Sequence, residues 1–166
     1  MIRFIIFSVL CASPWLAKAQ TVSGCDNLAG GTINFRVQWP EVWTALNEMS
    51  SCTDNCHIGS EPSGNLDLSS VRFSQLYLVE QFAQQGTVKL VDPGFPERSL
   101  LFNKVNCASP GFGGRMPPGG HMPAALQALI FDWIEQGGYG ESEKDPIQRE
   151  FVFRDGGESL RRPRRS

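Results

Sequence analysis

The ten residues Ser51–Ser60, SCTDNCHIGS, constrain this chain more than any other stretch. Cys52 and Cys56 are separated by three residues, and His57 follows the second cysteine directly. A helical turn takes about 3.6 residues, so on a helix both sulfurs share one face and the imidazole sits at its edge. The ordinary uses of such a cluster fit it poorly. A structural zinc site wants four ligands, normally as two spaced pairs, and no second pair appears. A redox-active dithiol has two residues between its cysteines and a βαβ context, which is absent. A disulfide between Cys52 and Cys56 stays open, but it gives His57 nothing to do.

A chain of 166 residues suits one domain plus extensions. Residues 1–19 read as a secretory signal: Arg3, a short apolar run over Phe4–Ala12, and the small-residue cleavage site Ala17-Lys18-Ala19 before Gln20. Cys11 follows Leu10, where a lipoprotein signal would carry a small residue, so it is expected to leave with the peptide. That run is too short to span a bilayer, and no later one approaches membrane length; the mature protein is expected to be soluble. Over residues 40–138 five basic residues face ten acidic ones. Nucleic-acid binding needs clustered positive charge, so this module excludes it, and the four arginines of the terminal RRPRRS are too few to restore it.

Apolar spacing organises the rest. Residues 20–39 are polar and glycine-bearing and read as an irregular N-terminal arm. A helix is expected from Pro40, with Val42, Leu46 and Met49 as its stripe and Ala45 on a neighbouring flank. Pro62, Gly64 and Asn65 mark a loop. A second helix, capped by Ser69 or Ser70, is expected to reach about Gln85, burying Phe73, Leu76, Val79 and Phe82 until Gly86 stops it. Asp92-Pro93-Gly94 is a turn, and a short helix begins near Pro96 with Leu100, Leu101 and Val105 inward. Residues 106–121, rich in glycine and proline, are expected to hold no regular element. The last helix runs from about Pro123 to Gln136, presenting Leu126, Leu129, Ile130, Trp133 and Ile134, and Gly137-Gly138 end it. Residues 139–166 turn charged and are expected to be a disordered tail, with one short strand conceivable over Glu150–Asp155.

Three parts now stand in order: a helix leading into C-x-x-x-C-H, a loop with Met116-Pro117-Pro118, and a final helix carrying DWIEQGG. That order resembles class I c-type cytochromes, and the wording (NLDLSS, LVDPGFPERSLLF, GRMPPGG, ALIFDWIEQGG) is most similar to the planctomycete-type cytochrome c domain. The resemblance covers residues 40–138 and implies an all-α fold of about four helices around one covalently attached haem c. It makes Cys52 and Cys56 the thioether positions, His57 the proximal iron ligand and Met116 the distal one. Leu66 and Leu68 would pack on the haem, and a carbonyl of their loop would accept from the other nitrogen of His57. Ala45 and Trp133 would meet where the first and last helices cross. The family's usual gap is two residues, and three here leave open whether both thioethers form. Met122 and His121 are rivals to Met116, as is Met49 in the first helix; the two prolines after Met116 favour it, because they stiffen a loop that must deliver sulfur.

The function so implied is electron transfer, not catalysis. A His/Met haem leaves no open coordination position, and the chain's two histidines, His57 and His121, compose no nucleophile–base motif. The location is periplasmic or extracellular, the partners are donor and acceptor redox proteins, and the protein is expected to be a monomer. Two other classes compete: a secreted interaction module keeping the fold without redox traffic, and a haem-based ligand sensor with a labile methionine. With two cysteines on haem, Cys25 and Cys107 are left either to pair as a disulfide tying the arm to the loop before Met116, or to stay as two thiols.

Overall fold

The computed structural model describes residues 22–48, 56–84 and 86–140. The expected signal (1–19), Met49, Cys52 and the charged tail from 141 onward lie outside the described residues. Within them the fold is mostly helical, with four α-helices: α1 (Trp39–Glu48), α2 (Val71–Ser74), α3 (Leu100–Asn106) and α4 (Ala124–Glu135). Helices α1 and α3 both pack on α4. The core gathers between them, with Val42, Leu46, Ile130, Trp133 and Ile134 almost wholly removed from water.

Helix α1 starts one residue before Pro40, with Glu41 in its first turn where a carboxylate favours the helix dipole. Its first residue, Trp39, joins the two ends of the described domain. The Trp39 backbone N–H donates to the Tyr139 carbonyl at 2.9 Å, and its ring lies 5.0 Å from that of Trp133, tilted by 40°. Trp133 also donates its indole N–H to Tyr139 at 2.8 Å. Both residues expected at the helix crossing, Ala45 and Trp133, are buried on α1 and α4; the ring that Trp133 meets is Trp39.

Helix α4 ends as expected. Gly137 N–H donates to Ile134 and Gly138 N–H to Trp133, the paired bonds of a Schellman turn. Gly138 is required on two counts: its φ is +68°, and a Cβ there would come within 3.3 Å of Val79 Cγ2. The Asp92-Pro93-Gly94 turn also forms, closed by Phe95 N–H to Asp92. Asp92 is held there by Lys89 at 2.9 Å and Arg98 at 2.7 Å.

Three expectations need correction. The helix expected to run to Gln85 ends at Ser74, followed by a single 3-10 turn over Gln75–Tyr77. Phe73, Leu76 and Phe82 are exposed rather than buried, while Ser74, Gln75, Leu78 and Val79 are buried. A strict spacing of three turns back about 60° around an α-helix at each step, so Phe73, Leu76, Val79 and Phe82 drift around the helix, and only Val79 is buried as expected. The buried polar pair is committed elsewhere. Trp39 donates its indole N–H to Val71 O and Ser74 Oγ, and Gln75 Nε2 donates to Gly138 O at 2.7 Å. The backbone then reverses at Glu80 (φ +63°), and bridges join Val79 to Val91 and Phe82 to Lys89. Ser70 occupies the N-cap position of α2, but its side chain makes no capping bond.

The second and third corrections concern the arm and the 106–121 loop, each of which contributes a strand. β1 (Ser23–Cys25) pairs antiparallel with β2 (Cys107–Ser109), Cys25 opposite Cys107, so the fold is helical with a two-stranded ribbon rather than all-α. Short strands of small polar residues carry no alternation for the eye to catch. Cys25 and Cys107 form the disulfide, across a separation of 82 residues. Further along, the arm runs beside α4: Asn34 donates to Asp132 at 2.6 and 2.8 Å, and Gln136 bridges Asn34 and Val37.

Candidate functional site

Residues 57–68 form a short loop against the core in which Leu68 is buried and Leu66 half-buried. It is fixed on both sides. Leu68 N–H donates to the His57 carbonyl at 2.7 Å, and the Leu68 carbonyl accepts from the Trp43 indole at 2.9 Å. This folds the chain back on itself and brings the Leu66 carbonyl to 3.2 Å from His57 Nδ1. A carbonyl can only accept, so in this bond Nδ1 carries the proton and the neutral ring keeps its lone pair on Nε2. Burial pushes the His57 pKa down; the Leu66 and Ser63 carbonyls pull it back, and the nearby Lys104 charge adds to the lowering. Burial thus favours the neutral imidazole, with Nδ1 tied to the Leu66 carbonyl.

His57 lines a cavity of about 840 Å³, counted with its open mouth, that Leu66, Leu68 and Met116 also line. Leu46, Leu78, Leu90 and Leu101 give it apolar walls. Four of the six expected site residues thus share one chamber, although Met116 is 59 positions from His57 along the chain. Cys56 is a half-buried free thiol directly before His57, and Cys52 lies outside the described residues.

Met116 reaches the cavity on a loop held from below by α3. Its N–H donates to the Lys104 carbonyl at 2.7 Å, and Lys104 Nζ donates to Gly114 O at 3.2 Å. Lys104 lines the cavity too, and burial lowers its pKa. The Met116-Pro117 peptide is cis. The two described rivals, Met122 and His121, do not line the cavity. Met122 is 2 % exposed within the core cluster, and its carbonyl accepts from Gln127. His121 is exposed, on the side of the loop that faces Asp26, whose pKa its charge helps to lower.

Trp43 and Lys104 were not singled out from the sequence. Trp43 had a signal, since a tryptophan on a half-buried helix flank needs an acceptor for its N–H. Lys104 had none beyond its place one turn into an apolar helix.

The donor set is one imidazole and one thioether. Among the described residues no group of three or more His, Cys, Asp or Glu side chains could hold a metal ion by itself. Such a pair suits a metal whose remaining ligands arrive with it, inside an apolar chamber. Among the described residues no helix is long and apolar enough to cross a membrane. No family model, no curated protein and no solved structure matches this chain.

Proposed function

We propose that the protein is a c-type cytochrome: an exported electron carrier with one haem c, attached through Cys52 and Cys56 and ligated by His57 and Met116. The observation that carries this reading is the convergence of His57 and Met116 on one apolar cavity, with His57 Nδ1 tied to Leu66. The residues fit the group. Bound haem iron would supply one-electron redox chemistry, and everything else is the protein's own contribution. Cys56 and its neighbour His57 set attachment and proximal ligation in one stretch of chain. The Leu66 carbonyl orients the imidazole and raises its donor strength. Met116 supplies a soft sulfur that favours the ferrous state, and the leucine walls exclude water. The class I cytochrome fold and a periplasmic or extracellular location belong to the same proposal; the Cys25–Cys107 disulfide supports an oxidising compartment.

The test is the pyridine haemochrome spectrum of protein exported by a strain competent in cytochrome c maturation. We expect covalent haem at one per chain, with the band position reporting one thioether or two. A colourless, folded product would overturn the proposal. Met116→Ala should keep the attached haem, bind carbon monoxide when reduced, and lower the potential. An unchanged near-infrared sulfur-to-iron band in that variant would remove Met116 as the ligand.

A further inference from the structure

Asp26 lies in the N-terminal arm, 90 positions before Met116 and outside the stretch that resembles a cytochrome domain. The fold nevertheless brings it against the Met116 loop. Its backbone continues the β1–β2 ribbon, with Asp26 N–H donating to Asn106 O at 3.1 Å and Asn106 Nδ2 donating to Asp26 O at 3.0 Å. The Cys25–Cys107 disulfide fixes the neighbouring position. Gly24 lets the ribbon close: at φ +67° its missing Cβ would stand 3.0 Å from Ala108 Cβ.

So anchored, the Asp26 carboxylate accepts from both terminal nitrogens of Arg115, the residue immediately before Met116. It also accepts from Gln127 Nε2 at 2.9 Å, and Gln127, 1 % exposed, ties the same cluster to Asn106 and to the Met122 carbonyl. The Arg115 side chain is only 12 % exposed. Apart from Asp26, its guanidinium has one acceptor among the described residues, the Val105 carbonyl at 3.3 Å. Without Asp26 a mostly buried cation would lose its counter-charge, and its cheapest relief is to swing into water, carrying the backbone next to Met116 with it.

We infer that Asp26, anchored by the Cys25–Cys107 disulfide, is a positioning residue for Met116: it clamps Arg115 and so holds the methionine over the cavity. This rests on the haem reading for its functional meaning, but the clamp itself is a property of the chain.

The test compares Asp26→Ala, Asp26→Glu, the double variant Cys25→Ser/Cys107→Ser and, as a control, Gln136→Ala, all as full exported chains. Gln136→Ala loosens the arm where it lies on α4 without touching Asp26. The first readout is hydrogen exchange at the Met116 amide, measurable whatever the protein carries. Losing a hydrogen-bonded charge should speed that exchange by about tenfold or more in Asp26→Ala. The cysteine double variant should shift it the same way, Asp26→Glu should restore part of the protection, and Gln136→Ala should leave it as in the wild type. The second readout is the near-infrared sulfur-to-iron band and carbon monoxide binding by the reduced protein. Asp26→Ala should weaken the band and speed carbon monoxide binding while covalent haem content stays constant. Wild-type exchange in Asp26→Ala, or an equal acceleration in Gln136→Ala, overturns the clamp. Absence of covalent haem in every variant, wild type included, overturns the haem reading instead and leaves the exchange result to decide the clamp.

Discussion

The two sides of the cavity are built on opposite plans. The His57 side is local: its partners Leu66 and Leu68 lie within eleven positions, and Trp43 on the preceding helix closes the set. The Met116 side is assembled from a distance. Lys104 holds its backbone from α3, while Arg115 is held by Asp26 and the ribbon by a disulfide spanning 82 residues. A local arrangement needs little loop closure and re-forms readily, whereas a remote one is only as firm as the elements that carry it. The His57 side should therefore be the persistent one, and the Met116 side the one that gives way first.

The largest expected effect comes from removing the persistent side. In a strain competent in cytochrome c maturation, Cys52→Ala/Cys56→Ala should abolish covalent haem, and His57→Ala should sharply reduce the yield of holoprotein. A haem stain after denaturing electrophoresis reads both. Next comes the remote side. Cys25→Ser/Cys107→Ser should destabilise the fold by about 2–4 kcal/mol, because the cross-link restrains a long stretch of the unfolded chain. Thermal unfolding with and without reductant checks it, and an unchanged midpoint would mean the ribbon holds without its bridge.

Smaller still is Trp43→Phe, which leaves the Leu68 carbonyl without its indole donor, at a cost of about 1–2 kcal/mol. Its signature should be faster exchange at the Leu68 amide with the Met116 amide unmoved. Equal acceleration at both would show that the two sides are not independent. The smallest is a pH effect at Asp26, whose pKa is lowered first by Arg115, then by Gln127, with the Arg115 and His121 charges contributing. A depressed carboxylate stabilises the folded state above its unfolded pKa and loses that contribution as pH falls through the lower folded one. The stability gap between wild type and Asp26→Asn should be full at neutral pH and close as the solution is acidified through and below the ordinary value of 3.8. A gap unchanged at low pH would assign it to packing instead.

The same division explains what could be read in advance. Helices α1, α3 and α4 announce themselves by apolar spacing, by Pro40 and by the Gly137-Gly138 stop, which act within a turn or two; Pro96, where α3 was expected to begin, instead opens a separate 3-10 turn over Pro96–Arg98, and the extended Ser99 delays α3 to Leu100. The bond to His57 was expected, from the resemblance to cytochrome c domains, as one to a carbonyl of the following loop. Leu66 was not nameable, because the choice depends on how Trp43 pulls Leu68. The segment after Ser70 misled because Ser74 and Gln75, not the aromatic residues, turn inward to serve Trp39 and Gly138. No local pattern reports an obligation set by residues 35 and 63 positions away. Nothing local pairs Asp26 with Arg115 for the same reason, since they lie 89 positions apart.

Trp39 and Tyr139 meet across almost the whole described domain, and that seam sets a kinetic problem as well as a structural one. Closing it in an open chain means bringing together residues 100 positions apart. Once Cys25 and Cys107 are linked, the shortest covalent route between the same residues falls to roughly half, and each halving lowers the loop-closure penalty by about 0.6 kcal/mol. The oxidised chain should then refold about two- to threefold faster than the reduced one if the seam forms in the transition state, with the adjacent Trp39 and Trp133 rings as its fluorescent reporters. Identical rates would place the seam after the barrier. In the first case the Cys25–Cys107 bond acts as a folding aid, a shortcut written into the topology rather than supplied by a chaperone.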